Sequence, residues 1–198
     1  MGTDISGWVE YQLTGSSSDE SMWYPVIRIG CLPSRNYDMF GCLFGVRNSA
    51  HFKPIAANRG TPSDVSYDAR GELREIADAE PKLRDEFHSY SWIRWAEIKN
   101  IDWEEEAEAV DECVHEYRRT ADGDLVYVTK SRPTLSPEVW QVLQEEPVWE
   151  REEKVYKVEK MKRKDALDWE WQLLFDMMKL LATSYGDEHV RMIVWFNG

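Results

Sequence analysis

Ser34-Arg35-Asn36-Tyr37-Asp38-Met39-Phe40-Gly41-Cys42-Leu43-Phe44-Gly45-Val46-Arg47-Asn48 is the stretch around which the chain is organised. Tyr37, Phe40, Leu43 and Phe44 recur at three- and four-residue steps, the spacing of one apolar helical stripe. Ser34 can cap the start, and Gly45 stands where a left-handed stop costs least. The dipeptide Arg-Asn flanks the element on both sides, as Arg35-Asn36 and Arg47-Asn48. Over residues 21–60 the basic side chains are Arg28, Arg35, Arg47, Lys53 and Arg59, against the single acid Asp38. The window is therefore +4 in a chain of −13, and the other 158 residues sum to −17. Local positive charge among Trp23, Tyr24, Tyr37 and Phe52 suits an anionic, ring-containing ligand: guanidinium forks take phosphate and aromatic faces take a base. The competing explanation is ion pairing between these arginines and the acidic remainder of the fold.

Outward from this element the pattern mixes strands and helices. Residues 5–13 and 22–29 read as two strands of a hairpin around the polar turn 15–21, with Pro25 marking an edge or bulge. Residues 46–62 form a long loop. Ser63-Asp64 opens a helix to about Ala79, with a break near Gly71. Phe87 to Ile93 alternates, so that His88, Tyr90 and Trp92 share one face of a strand and Phe87, Ser89, Ser91 and Ile93 the other. Residues 102–116 hold eight acids and no lysine or arginine. Trp103, Ala107, Val110, Val114 and Tyr117 keep helical spacing there, which predicts an amphipathic helix. A strand at 125–129, a short helix from Pro137 to about Gln144, a strand over 148–161, a long helix over 165–184 and a central apolar strand at 190–196 complete the chain. No regular βαβ rhythm is present, so the expected class is α+β: a single domain over residues 1–198 with a mainly antiparallel sheet packed by helices.

Composition narrows the function classes. The chain has 198 residues, ten tryptophans and a net charge of −13. Such an acidic surface argues against nucleic-acid or anionic-membrane binding. No run is apolar enough for a membrane span, and Met1-Gly2-Thr3-Asp4-Ile5-Ser6, although it fits a myristoylation pattern, has no basic patch beside it. Cys31, Cys42 and Cys113 lack metal or redox spacing and read as reduced thiols of a cytoplasmic protein. No histidine pair has metal-ligand spacing, and no metal or cofactor is expected. There is no HExxH, P-loop or GxGxxG, and Ser89 and Ser91 lack a hydrolase elbow. A catalytic role therefore finds no motif. His88 is the one histidine among hydroxyls and aromatics; His51 lies in the basic loop, and His115 and His189 read as structural.

Several segments carry a resemblance. They are Gly2-x-Asp4-Ile5-x-Gly7-Trp8-Val9-Glu10, Arg35-Asn36-Tyr37-Asp38, Phe44-Gly45-Val46-Arg47-Asn48, Arg59-Gly60-x-Pro62-x-Asp64-Val65-Ser66, His88-Ser89-Tyr90-Ser91-Trp92 and Val190-Arg191-x-Ile193-Val194-Trp195-Phe196. Together they resemble a mostly phage-encoded family of small proteins. Residues 103–162 fit least and read as a candidate elaboration of the core. By analogy with phage proteins of this size, the resemblance implies an anti-defence role in the infected host cytoplasm: sequestering a small nucleotide signal of Thoeris or CBASS immunity, such as an ADP-ribose derivative or a cyclic nucleotide. The partner is then a small phosphorylated nucleotide, and a homo-oligomer stays open. In that reading Arg35, Arg47 and Arg59 hold phosphate; Tyr37, Tyr90 or Trp92 stack on a base; Asn36, Asn48, His88 and its neighbour Ser89 read polar edges; and Asp38 stands beside them. Two alternatives remain: an enzyme cleaving such a nucleotide with His88 as acid/base, and an acidic decoy using residues 102–116 against a host protein.

Overall fold

The computed structural model describes residues 2–13, 22–31, 35–134, 136–151 and 153–198, with no side-chain account of Cys31 or residues 137–139. The helix expected at the centre is present as α1 (Tyr37–Phe44), and Met39 to Phe44 are all buried. Ser34 lies outside the described residues. The cap is Asn36, whose Oδ1 accepts from the Met39 N–H at 2.9 Å. Gly45 closes the helix at φ 73°, in the left-handed region that a side chain would make costly. Gly41 is needed for a different reason: a Cβ there would lie 2.9 Å from the Asn48 Cα, so only glycine lets the next loop fold back on the helix.

Four strands form the sheet beneath α1: β1 (Asp4–Gln12), β2 (Trp23–Arg28), β3 (Phe87–Arg94) and β8 (Val190–Asn197), in the order β2-β1-β8-β3 and antiparallel throughout. β8 is flanked on both sides and all but its last residue is buried, which is why it reads as a continuous apolar run. Phe40 and Phe44 of α1 meet Phe196 edge-on at 5.2 and 5.8 Å. The last helix, α6 (Trp169–Tyr185), adds Trp171, Leu174, Phe175 and Met178 to the same core. At roughly 1.5–3 kcal/mol for each large apolar side chain removed from water, this three-way contact is the main stabilising unit. The opposite sheet face is covered by α2 (Tyr67–Asp78), through Val65, Ala69, Ile193, Trp8 and Trp92. α2 starts at the Ser66 cap and runs through Gly71 without a break. Two one-turn helices, α3 (Pro81–Arg84) and α4 (Trp95–Ile98), bracket β3.

The remaining strands make a second sheet inside the segment that fits the resemblance least. β4 (Val114–Arg119), β5 (Leu125–Ser131), β6 (Val148–Arg151) and β7 (Lys154–Lys157) pair antiparallel in the order β5-β4-β7-β6, with α5 (Pro137–Glu145) between β5 and β6. Among the described residues the fold is thus α+β with two antiparallel sheets of four strands each, and the single strand expected over 148–161 is the β6–β7 hairpin. The proposed turn at 15–21 lies outside the described residues.

The acidic stretch is not a helix. Residues 103–111 run irregularly against residues 159–164, with Ala107 N–H donating to the Met161 carbonyl at 2.8 Å, Asp111 to Glu159 at 3.1 Å and, in return, Arg163 to Glu105 at 3.1 Å. On a helix, Glu104/Glu108 and Glu108/Glu112 would face each other as like charges four residues apart. Unwound, Glu104 reaches Lys162 and Lys164, and Glu105 reaches the buried Arg163 at 3.0 Å. The Lys162-Arg163-Lys164 run, distant in sequence, decides the outcome.

Candidate functional site

The residues read as a ligand site are not gathered at one place: Arg35, Tyr37 and Arg47 meet around residues 2–4, whereas Arg59 lies over Trp92 and pairs with Glu97. Arg35 makes a two-pronged pair with Asp4 at 2.5 and 2.9 Å, which holds the Asp4 carboxyl below its ordinary range. Arg47 donates to Thr3 Oγ1 at 2.8 Å, with its guanidinium 6.0 Å from the Tyr37 ring, and Tyr37 accepts from the Thr3 N–H at 3.0 Å. Asn36 caps α1 and also donates to Asp168 at 2.7 Å. The Asn48 amide is closed onto the Phe52 backbone through both its oxygen and its nitrogen. Arg59 grips Glu97 through two bonds of 2.6 and 2.9 Å, while it and Arg94 lie over the Trp92 ring at 5.1 and 5.3 Å. These arginines fasten loops to the sheet.

The face assignment in β3 is corrected by a bulge. Ser89 takes φ 53°, and the pairing slips so that His88 stands opposite Phe196 while Trp92 stands opposite Ile193. Phe196 and Ile193, three apart on β8, point to opposite faces, so His88 and Trp92 do too. His88 stacks on Phe196 at 6.3 Å with Nδ1 2.9 Å from Ser89 Oγ. Tyr90 borders a separate open groove beside Leu73 and Phe87.

Asp38 leads elsewhere. It borders a cavity of about 610 Å³ between α1 and the second sheet, shared with Glu106, His115, Tyr117, Tyr127, Glu159, Lys160, Lys162 and Asp165. A second bulge builds it. His115 pairs with Lys130 and Tyr117 with Tyr127, although Lys130 and Tyr127 are three apart on β5. The slip brings both onto the face of His115 and Tyr117, where a regular strand would have sent them to opposite sides. Lys130 Nζ then bridges Asp38 Oδ1 at 2.6 Å and Asp111 Oδ2 at 2.5 Å. Asp111 is fully buried and also takes His115 Nε2 at 3.0 Å and the Cys113 N–H at 2.9 Å. His115 Nδ1 faces Glu159 at 3.5 Å, and the Tyr117 hydroxyl donates to the same carboxylate.

This ionic chain sets the local titration. Burial pushes the Asp111 carboxyl up, but His115 and Lys130 outweigh it and hold the group at about 2. Burial also works against the Lys130 charge, yet Asp38 and Asp111 raise its pKa above the usual lysine value. Tyr117 is raised by burial and then by its bond to ionised Glu159, and Tyr127 by burial. The cavity wall therefore presents carboxylates and neutral phenols, with lysines at 160 and 162. Such an acceptor-rich interior suits a ligand end carrying O–H and N–H donors, and would repel a phosphate.

His115 and Tyr117 were hidden at the level of sequence because a helical reading of 102–116 destroys the two-residue period that places them on one face. Alternation of His115 and Tyr117 with Val114 and Glu116 is the signal that was present. In the acidic stretch Glu104, Glu105, Asp111, Glu112 and Glu116 are all paired inside the fold, so these do not form a row of unpaired anions. Cys42 and Cys113 are buried free thiols. Among the described residues no group of three or more His, Cys, Asp or Glu side chains is placed to hold a metal ion, and no helix is long and apolar enough to cross a membrane. Comparison of the chain with protein-family models, curated proteins and solved structures gave no match.

Proposed function

We propose that the protein binds and sequesters a small nucleotide, with the nucleoside end in the cavity between α1 and the second sheet. The observation that carries this reading is the cavity wall itself: Asp38, Glu106, Glu159 and Asp165 surround Tyr117 and Tyr127 in a space of about 610 Å³, within the range of small-ligand sites. Ribose hydroxyls and an exocyclic amine would donate to the carboxylates, and a base would lie on a phenol ring. Phosphate would stay at the rim, near Lys160 and Lys162. The proposed biological role is the one the family resemblance implies, removal of a nucleotide immune signal in a phage-infected cell.

Cleavage is the second reading, favoured by Asp38 and His115 bordering one cavity. Binding without cleavage is better supported, because both imidazole nitrogens of His115 face carboxylates and its side chain is only 5% exposed. A substrate would find no ring nitrogen to use. Calorimetry with adenosine, AMP, ADP-ribose and cyclic di-AMP tests the site, followed by heat denaturation and chromatography of the released compound. Binding that Glu159→Gln weakens, with ligand returned intact, is expected. Absence of binding by all four compounds refutes the reading, and time-dependent turnover lost in His115→Gln replaces it with the enzyme.

A further inference from the structure

Lys160 borders two spaces. On one side is the acid-lined cavity; on the other is an open groove of about 710 Å³ whose polar and aromatic lining is His51, Glu112, Arg132, Trp140, Gln144 and Lys160. The two differ in sign. Among the described residues, the cavity carries four carboxylates and two lysines, whereas the groove carries Arg132 and Lys160 against Glu112, and Glu112 is met by both Arg132 and His51. Trp140, half-buried on α5, supplies the one large aromatic face of the groove. Lys160 Nζ gives one bond to the Glu108 carbonyl at 3.1 Å. An ammonium has three donors, so it can hold a phosphate oxygen at the same time.

From this juxtaposition we infer that the ligand is two-lobed: a nucleoside joined through phosphate to a second ring-bearing group. The donor-rich nucleoside fills the cavity, the phosphate bridge crosses Lys160 within reach of Arg132, and the second ring lies on Trp140. A mononucleotide would use only the first lobe. Among the described residues, a phosphate placed in the middle meets Lys160 and Arg132, where cations outnumber acids, and both ends avoid burying that charge. The inference rests on the nucleotide reading of the cavity and adds the class of nucleotide.

Calorimetry on the full chain separates the two. Wild-type protein is titrated with AMP, ADP-ribose and cyclic di-AMP, and the same series is run on Trp140→Ala, Arg132→Gln and Glu159→Gln. At least one two-ring compound is expected to bind about 10- to 100-fold tighter than AMP, the size of one base–aromatic stack. Trp140→Ala should remove most of that advantage and leave AMP within about two-fold of wild type, since AMP makes no use of the indole. Arg132→Gln should weaken the two-ring compounds and AMP alike, since each places a phosphate within its reach. Its side chain is 70% exposed, so the variant folds even if Trp140→Ala does not. Glu159→Gln should weaken all three compounds. Equal affinity for AMP and the two-ring compounds, or a two-ring affinity that neither groove variant changes, overturns the two-lobed ligand while Glu159→Gln still upholds the cavity. If none of the compounds binds the wild type, the cavity reading falls and this inference with it.

Discussion

Replacing Lys130 with methionine tests whether the ionic chain behind the cavity joins the two sheets energetically. Methionine keeps the unbranched apolar stem, one atom shorter, and removes the charge. The change leaves Asp111, which is 0% exposed, with His115 and one backbone N–H, and leaves Asp38 without its cation. Breaking a buried pair from one side costs about 3–5 kcal/mol, because a buried charge is stranded. His115 remains on the same carboxylate oxygen, so the lower end, about 3 kcal/mol, is expected. For a chain of this size that corresponds to a fall in Tm of roughly 6–12 °C. Urea unfolding at neutral pH of wild type, Lys130→Met, Asp111→Asn and the double variant gives the coupling. The double variant should be more stable than the sum of the singles predicts, by about 1–3 kcal/mol, since neither lone charge is then buried. The pH dependence follows from the direction of each shift. Asp111 is lowered from 3.8 to about 2, so its contribution of about 2 kcal/mol is complete above 3.8 and disappears as pH falls toward 2. Lys130 is raised, so its contribution is complete below 10.5 and disappears as pH climbs beyond that. Lys130→Met should move the acid limb of the stability profile upward and remove the Lys130 share of the alkaline one, to which the raised Tyr117 and Tyr127 also contribute. A Lys130→Met protein within about 0.5 kcal/mol of wild type, with additive singles, refutes the reasoning, because surface pairs behave that way.

Three other outcomes are expected. Glu159→Gln should lower the Tyr117 pKa, since part of its elevation comes from the ionised Glu159 carboxylate; an ultraviolet phenol titration checks this, and an unchanged Tyr117 would separate the two groups. Arg35→Ala should leave stability nearly unchanged and nucleotide affinity unaltered, because its pair with Asp4 is about half exposed on both sides; a calorimetric loss of binding would return Arg35 to the ligand site. Gly45→Ala should cost about 1–2 kcal/mol by thermal unfolding, from φ 73° and a Cβ only 3.1 Å from Pro54 Cγ; a neutral effect would mean that the helix end relaxes freely.

Short-range order was legible in the residues alone. The period of Tyr37, Phe40 and Leu43, the stop at Gly45, the apolar run of β8 and the Pro137 start of α5 all act within a few residues of themselves, and each element formed where its pattern lies. Strand register is different in kind, because it depends on a partner far away in the chain. A one-residue slip turns every later side chain to the other face, and nothing near Ser89 or Val128 announces it. The bulge in β3 separates His88 from Trp92, while the bulge in β5 gathers Lys130, Tyr127, His115 and Tyr117. The acidic stretch carries the same lesson. Its apolar spacing fits a helix, but the cations at 162–164 and Lys130 offered its carboxylates more than helical hydrogen bonds among like charges could. Local pattern thus determined most of the elements of this protein, the acidic stretch excepted. Long-range pairing of strands and charges decided which side chains share a cavity, because that placement is set by contacts between residues as far apart as Asp38 and Lys130.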